Sequence, residues 1–132
     1  MFEQFQVRTP SHDCLVEITS QVQDRIGRAG IEQGLCTVFV PHTTAGITIN
    51  ENADPTVQQD LLQILDRVVP WRGNYDHAEG NSAAHAKASL LGSSCSVLVL
   101  GGRLRLGTWQ GLYLAEFDGP RTRRVWVKVI SG

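Results

Sequence analysis

The chain has 132 residues, 42% apolar and 19% charged, with 13 Gly, 5 Pro and 3 Cys. One domain spanning 1–132 is the natural reading, with enough apolar material to exclude disorder and to make a stapling disulfide or structural metal unnecessary. The net charge of −1 excludes a strongly basic nucleic-acid binder, yet it hides an asymmetry: residues 1–66 carry nine acids and three bases, residues 67–132 four acids and nine bases.

No apolar run approaches the roughly 20 residues of a membrane helix, and Met1–Gln6 lacks the basic start and apolar core of a signal peptide. Phe2 to Thr9 alternates apolar and polar residues as a half-buried strand does. After a Pro10–Asp13 turn, Cys14 to Thr19 alternates again. Ser20 with Gln23 has the spacing of a capping box, and Val22, Ile26 and Ala29 follow at helical intervals up to Gly30. Leu35 to Val40 reads as a buried strand and Ala45 to Asn50 as another. Asp54-Pro55 is a helix start; Val57, Leu61, Ile64, Leu65 and Val68 mark its apolar face, and Pro70 stops it. Residues 71–80 form a polar, glycine-punctuated loop. Asn81 caps an alanine-rich helix ending near Gly92.

The remainder is β: Cys95 to Leu100, a Gly101-Gly102 turn, Arg103 to Leu106, Thr108 to Phe117, and Arg123 to Ile130. About eight strands and three helices predict an α+β fold, a compact sandwich-like domain dominated by antiparallel sheet. Cys14, Cys36 and Cys95 are odd in number and widely spaced, which predicts reduced thiols and a cytoplasmic location.

Three features exceed what folding needs. Pro41-His42-Thr43-Thr44 follows a buried strand directly, a common way to aim an imidazole and hydroxyls into a cleft; a loop whose threonines satisfy turn amides is the plainer alternative. Asn81, His85 and Ser89 fall on one face of a small-residue helix, facing either a polar cavity or solvent. Asp76-His77-Ala78-Glu79-Gly80-Asn81 packs acids, imidazole and amide into six residues. His42, His77 and His85 are a candidate three-nitrogen set for zinc or another divalent ion, or act as general acids, bases or donors to phosphate. Arg121, Arg123 and Arg124 follow a tight turn, where guanidinium groups clamp phosphates. Arg103 and Arg105 alternate with leucines on the outer face of a hairpin. Lys87 lies on the helix face opposite His85, where it serves a neighbouring subunit if that face is an interface. Gly107–Gly111, holding Trp109 and Gln110 between glycines, suggests close packing beside a site. No dinucleotide or Walker loop is present, so no nucleotide cofactor is expected.

The run Ser93 to Gln110, with His42–Ala45, Asn50–Asp54, Asp76–Asn81 and Ala84–Lys87, resembles the YjbQ-like family, also called secondary thiamine-phosphate synthases. The resemblance implies an antiparallel α+β fold assembled as a homotrimer. It also implies transfer of an aminopyrimidine diphosphate onto a thiazole phosphate with release of pyrophosphate. Its polar blocks correspond to His42, Thr43, Asn50, Glu51, His77, Asn81 and His85 here. On this reading His42, His77, His85 and Glu51 are catalytic, while Thr43, Thr44, Asn50, Asn81, Ser89 and Arg121 hold a small phosphorylated metabolite, with zinc or magnesium as a possible aid. The alternatives are a trimeric phospholigand- or metal-binding protein without turnover, and a metal-dependent hydrolase.

Overall fold

Alternation of side chains sorts the strands into two antiparallel sheets. The computed structural model describes all 132 residues, in the order β1 (Phe2–Arg8), β2 (Cys14–Glu17), α1 (Thr19–Ala29), β3 (Gln33–Phe39), β4 (Ala45–Glu51), α2 (Pro55–Val68), α3 (Ser82–Leu91), β5 (Ser94–Leu100), β6 (Arg103–Leu104), β7 (Gln110–Glu116) and β8 (Thr122–Ser131). One sheet has the order β1-β8-β3-β5-β6, the other β2-β7-β4. The expected α+β architecture, with eight strands and three helices, is the one observed.

Between the sheets lies the main core. Val38, Val97 and Val127 come from the larger sheet, Ile47, Leu112 and Leu114 from the smaller, and Val22 and Ile26 of α1 close one side. Each such buried side chain contributes roughly 1.5–3 kcal/mol of burial. A second, smaller cluster packs Ala84 and Ala88 of α3 onto Ala115 and Phe117. Alanines here let helix and sheet approach closely: a Cβ on Gly46 would lie 2.7 Å from the Gly92 carbonyl oxygen. Strand β7 is therefore covered on both faces, which is why residues 111–116 are all buried.

The helix starts differ in detail from the expectation. Asp54 caps α2 as predicted, accepting the Thr56 N–H at 3.0 Å. The Ser20–Gln23 capping box does not form; α1 begins at Thr19 without a side-chain cap. Instead the Gln23 amide serves the β5–β6 hairpin, donating to the Gly102 carbonyl and accepting from the Leu104 N–H. A hairpin edge with two unpaired backbone groups outcompetes the helix end, which water can satisfy. Asn81 precedes α3, but its side chain makes no cap. The expected strand Arg103–Leu106 is only Arg103–Leu104, and the next begins at Gln110 rather than Thr108. Gly107 to Gln110 instead makes a turn clamped by the Gln110 side chain, which accepts the Gly107 N–H at 2.8 Å.

Candidate functional site

Strand β3 ends at Phe39, and after five residues β4 enters the other sheet at Ala45. His42, Thr43 and Thr44 therefore sit at one end of the sandwich, where the sheets part. Two open cavities meet there, of about 500 and 430 Å³, sharing His42, Thr43 and Ser93. Arg121, Arg123 and Phe39 line the first; His85, Ser89 and Gly92 line the second.

A buried ion pair forms the floor. The Arg123 guanidinium donates through Nε to Glu116 Oε1 at 2.8 Å and through Nη2 to Oε2, a two-point contact. Nη2 also donates to the Thr44 hydroxyl at 2.7 Å. Thr9 Oγ1 and the Asp118 N–H complete the carboxylate's acceptor sites. Burial alone would push the Glu116 carboxyl up, but Arg123 and these donors outweigh it and hold it below the ordinary value. Thr44 is thus committed to orienting Arg123. Arg121 remains half-exposed at the rim, held by the Asp118 carbonyl and carboxylate at 2.8 and 3.2 Å.

The field of this floor acts on His42. Burial, then the charges of Arg123 and Arg124, push its pKa below 6.5, against an opposing pull from Glu116 and with a lesser push from Arg121. The Arg124 backbone N–H donates to Nε2 at 2.9 Å. The neutral ring therefore carries its proton on Nδ1, as a donor with no partner in the chain. An anion bound here cancels part of the arginine field and raises the His42 pKa. We expect the His42 Hε1 resonance to titrate at higher pH in the presence of inorganic sulfate, with anion affinity rising as pH falls through the anion-bound midpoint. An unchanged midpoint at saturating sulfate would count against an anion site.

The structure brings together only part of the predicted set. His42, Thr43, Thr44, His85, Ser89 and Arg121 share the paired cavities. Ser89 donates its hydroxyl to the His85 carbonyl within α3. His77, in the loop before α3, meets the His85 ring edge-on with centroids 5.4 Å apart. Asn81 is not on an open face with them: it is buried, its amide nitrogen donating to Asp118 at 2.9 Å, its oxygen unpaired. Asn50 and Glu51 lie at the opposite end of β4, roughly 20 Å away at an extended rise. There the Glu51 carbonyl accepts from Gln58 and Tyr113. Glu51 is therefore no part of this cleft within one chain. The Gly107–Gly111 segment lies at that far end too, Trp109 accepting the Asn52 N–H.

A three-histidine metal centre is not assembled either. No group of three His, Cys, Asp or Glu side chains gathers at metal-binding geometry, and the Nε2 of His42 is already engaged by Arg124. Lys87 also corrects its reading. It is buried within its own chain, bonded to Asp13 and Asp66 at 2.9 and 2.8 Å, and ties α3 to α2 and to the β1–β2 turn.

The Glu116–Arg123 pair was missed by sequence reasoning, although a signal existed. Arg123 shares the inward alternation of Val125, Val127 and Val129, and a charge at such a position requires a buried partner. Cys36 and Cys95 carry no comparable activation. Burial pushes Cys36 to about 12 and Cys95 to about 11, so both stay protonated. No helix is long and apolar enough to cross a membrane.

A family model described as UPF0047 protein YjbQ-like matches residues 3–132. The chain is 50% identical to the UPF0047 protein YugU of Bacillus subtilis over 132 residues, covering 99% of this chain and all of the relative. It is 46% identical to a UPF0047 protein of Methanocaldococcus jannaschii, covering 99% and 95% of the two chains. A crystal structure of a YjbQ/UPF0047 protein from Clostridium acetobutylicum superposes with a TM-score of 0.95 at 52% identity, covering 97% of this chain and 99% of the other. A YjbQ-like protein from Sulfolobus solfataricus gives 0.96 at 33% identity, covering 100% and 97%.

Proposed function

The chain belongs to the UPF0047 YjbQ-like family, and from that premise we propose that it is a transferase of the secondary thiamine-phosphate synthase type. It joins an aminopyrimidine diphosphate to a thiazole phosphate and releases pyrophosphate. The observation that carries this reading is the pair of cavities meeting at His42 and Thr43 within an arginine field. Two anionic substrates need adjoining berths, and a departing diphosphate needs its growing charge neutralised.

The roles follow from the chemistry. The thiazole nitrogen donates its lone pair to the methylene carbon of the pyrimidine. The carbon–oxygen bond to the diphosphate breaks, and its electron pair leaves with pyrophosphate. No proton is removed, so no strong base is required. Arg121 and the Nδ1–H of His42 stabilise the leaving diphosphate, which arrives with magnesium as its counter-ion; His85, steadied by His77, borders the second berth. Three free thiols suit a cytoplasmic location, and a homotrimer is the assembly we expect.

The alternatives are a phosphometabolite-binding protein without turnover and a hydrolase. The hydrolase is disfavoured by one feature: the cleft's buried carboxylate, Glu116, is tied to Arg123 and is not free to act as a base.

One experiment separates them. The purified protein is incubated with both substrates and magnesium, beside His85→Ala, while thiamine phosphate and pyrophosphate are followed together. Transfer predicts both products in equal amounts and at least a tenfold loss in the variant, with folding unchanged by circular dichroism. Saturable binding with intact substrates would establish the binder instead. Consumption of one substrate alone would establish a hydrolase.

A further inference from the structure

Two turns meet beside the cleft, and they are held against each other at several points. The Gly119 N–H donates to the His12 carbonyl at 3.0 Å, and a Cβ on Gly119 would lie 2.4 Å from the Ser11 carbonyl oxygen. Thr9 secures the far end of the same turn. Its N–H donates to the Arg121 carbonyl at 2.9 Å, and its hydroxyl accepts the Arg121 N–H at 2.9 Å. The turn between β1 and β2 is thereby fixed against the turn between β7 and β8, with His12 beside Asp118.

Asp118 serves several groups at once. Its Oδ2 accepts from Arg121 Nη2 at 3.2 Å and from the buried Asn81 amide at 2.9 Å. Its Oδ1 lies 3.9 Å from His12 Nε2, beyond hydrogen-bond distance. The other ring nitrogen, Nδ1, bonds Asp13 Oδ1, and the second Asp13 oxygen accepts from the buried Lys87 ammonium at 2.9 Å. Lys87 in turn bonds Asp66 of α2, and Trp71 meets the imidazole edge-on at 4.4 Å between centroids. Ionisable groups therefore run from Asp66 through Lys87, Asp13, His12 and Asp118 to Arg121 at the rim of the cavity. Every link is a hydrogen bond except the one between His12 and Asp118.

A carboxylate only accepts, so the neutral His12 ring keeps its proton on Nδ1 for Asp13. Its Nε2 then presents a lone pair to Asp118, and the gap stays open. A second proton on Nε2, which imidazoles take up as pH falls through the neutral range, supplies the missing donor. We propose that His12 is a positioning residue for Arg121: once protonated, it draws the Asp118 carboxylate to itself and releases the guanidinium toward an anion in the His42 cavity. A carboxylate shared with an imidazolium holds Arg121 less firmly, and the added positive charge favours the same anion. Asn81 keeps Asp118 in place in both states. His12 does not line either part of the cleft, so it acts through Asp118. This role rests on the anion berth proposed above and gives it a proton-linked control separate from His42.

Inorganic sulfate, whose charge is constant over this range, is titrated into the full chain by calorimetry at about pH 5.5 and about pH 8.5, on either side of imidazole titration. His12→Asn keeps a donor for Asp13 at the place of Nδ1, has nothing at the place of Nε2, and takes no charge. His42 titrates alike in both proteins, so their difference reads His12 alone. The variant is expected to match wild type at the alkaline end and to bind about threefold more weakly at the acid end, a size suited to a partly exposed pair. That acid deficit is expected to vanish in the Asp118→Asn background, where no carboxylate remains for the imidazolium to draw. Circular dichroism establishes that each variant is folded. Identical profiles for wild type and His12→Asn would overturn the role. So would a deficit of equal size at both pH values, the mark of a merely structural turn, or one that persists with Asp118→Asn. Absence of sulfate binding in every protein would remove the anion berth itself, so failure of that reading is told apart from failure of this one.

Discussion

Glu116→Gln is expected to lower the stability of the fold by about 3–5 kcal/mol, measured as the shift in urea denaturation at pH 7. The substitution keeps the shape of the side chain but leaves the Arg123 guanidinium buried against a neutral partner. Arg123 and Glu116 are both almost fully excluded from water, so neither recovers solvation when the other is lost. Removing both charges together, in Glu116→Gln with Arg123→Met, should recover much of the loss, since no uncompensated charge is left. The wild-type pair also sets an acid limit. Glu116 is held below its ordinary value of 4.5, so the folded state binds its proton less readily than the unfolded chain. The stabilisation is present above 4.5 and is lost as pH falls through the lower folded value. The Gln variant should show a shallower loss over that same acidic window. An equally steep profile would mean that other carboxylates govern acid unfolding.

That pair was hidden for a reason that also explains the other misses. Reading Arg121, Arg123 and Arg124 together as a phosphate clamp passes over the period-two alternation of β8, which sets Arg123 in line with the inward-facing valines. That alternation carries no information about which strand of the opposite sheet supplies the partner. Strand positions, the α2 cap and the joint presence of His42 and His85 in one cleft were legible, because each depends on local spacing. Asn50 and Glu51 join His42 in the expected set through the family resemblance, and they follow it within nine residues. In extended strand that separation becomes length rather than proximity, and β4 carries them to the other end of the sheet. Gln23 failed for the opposite reason. Its spacing from Ser20 fits a capping box, but a hairpin edge distant in sequence had the greater need for its amide. Non-local competition of this kind decides which of several sterically permitted hydrogen bonds is made, and it enters only once the chain is folded.

The same asymmetry between burial of a charge and burial of its partner gives the second large effect. Lys87→Met should cost little, within about 1 kcal/mol, because the methionine fills the alkyl space and the two released carboxylates reach water. The Asp66 side chain is 66% exposed and that of Asp13 23%. Asp13→Asn with Asp66→Asn is expected to cost about 3–5 kcal/mol at pH 7, although it deletes groups nearer the surface. It strands the Lys87 ammonium, which is 1% exposed, without a counter-charge. The pH dependence separates this from simple loss of packing. In the wild type, burial pulls the Lys87 pKa down, but the hydrogen bonds and charges of Asp66 and Asp13 carry it above 10.5. The folded state then holds the proton more tightly than the unfolded chain, so the stabilisation is full below 10.5 and is lost as pH rises through the folded value. With both carboxylates neutralised, burial acts alone and the folded pKa drops below 10.5. The sign reverses: the double variant should gain stability between that lowered value and 10.5, where the wild type is flat and then declines. Parallel alkaline profiles for the two proteins would show that Lys87 escapes to solvent when its partners are removed, and that α3 is not anchored by its charge.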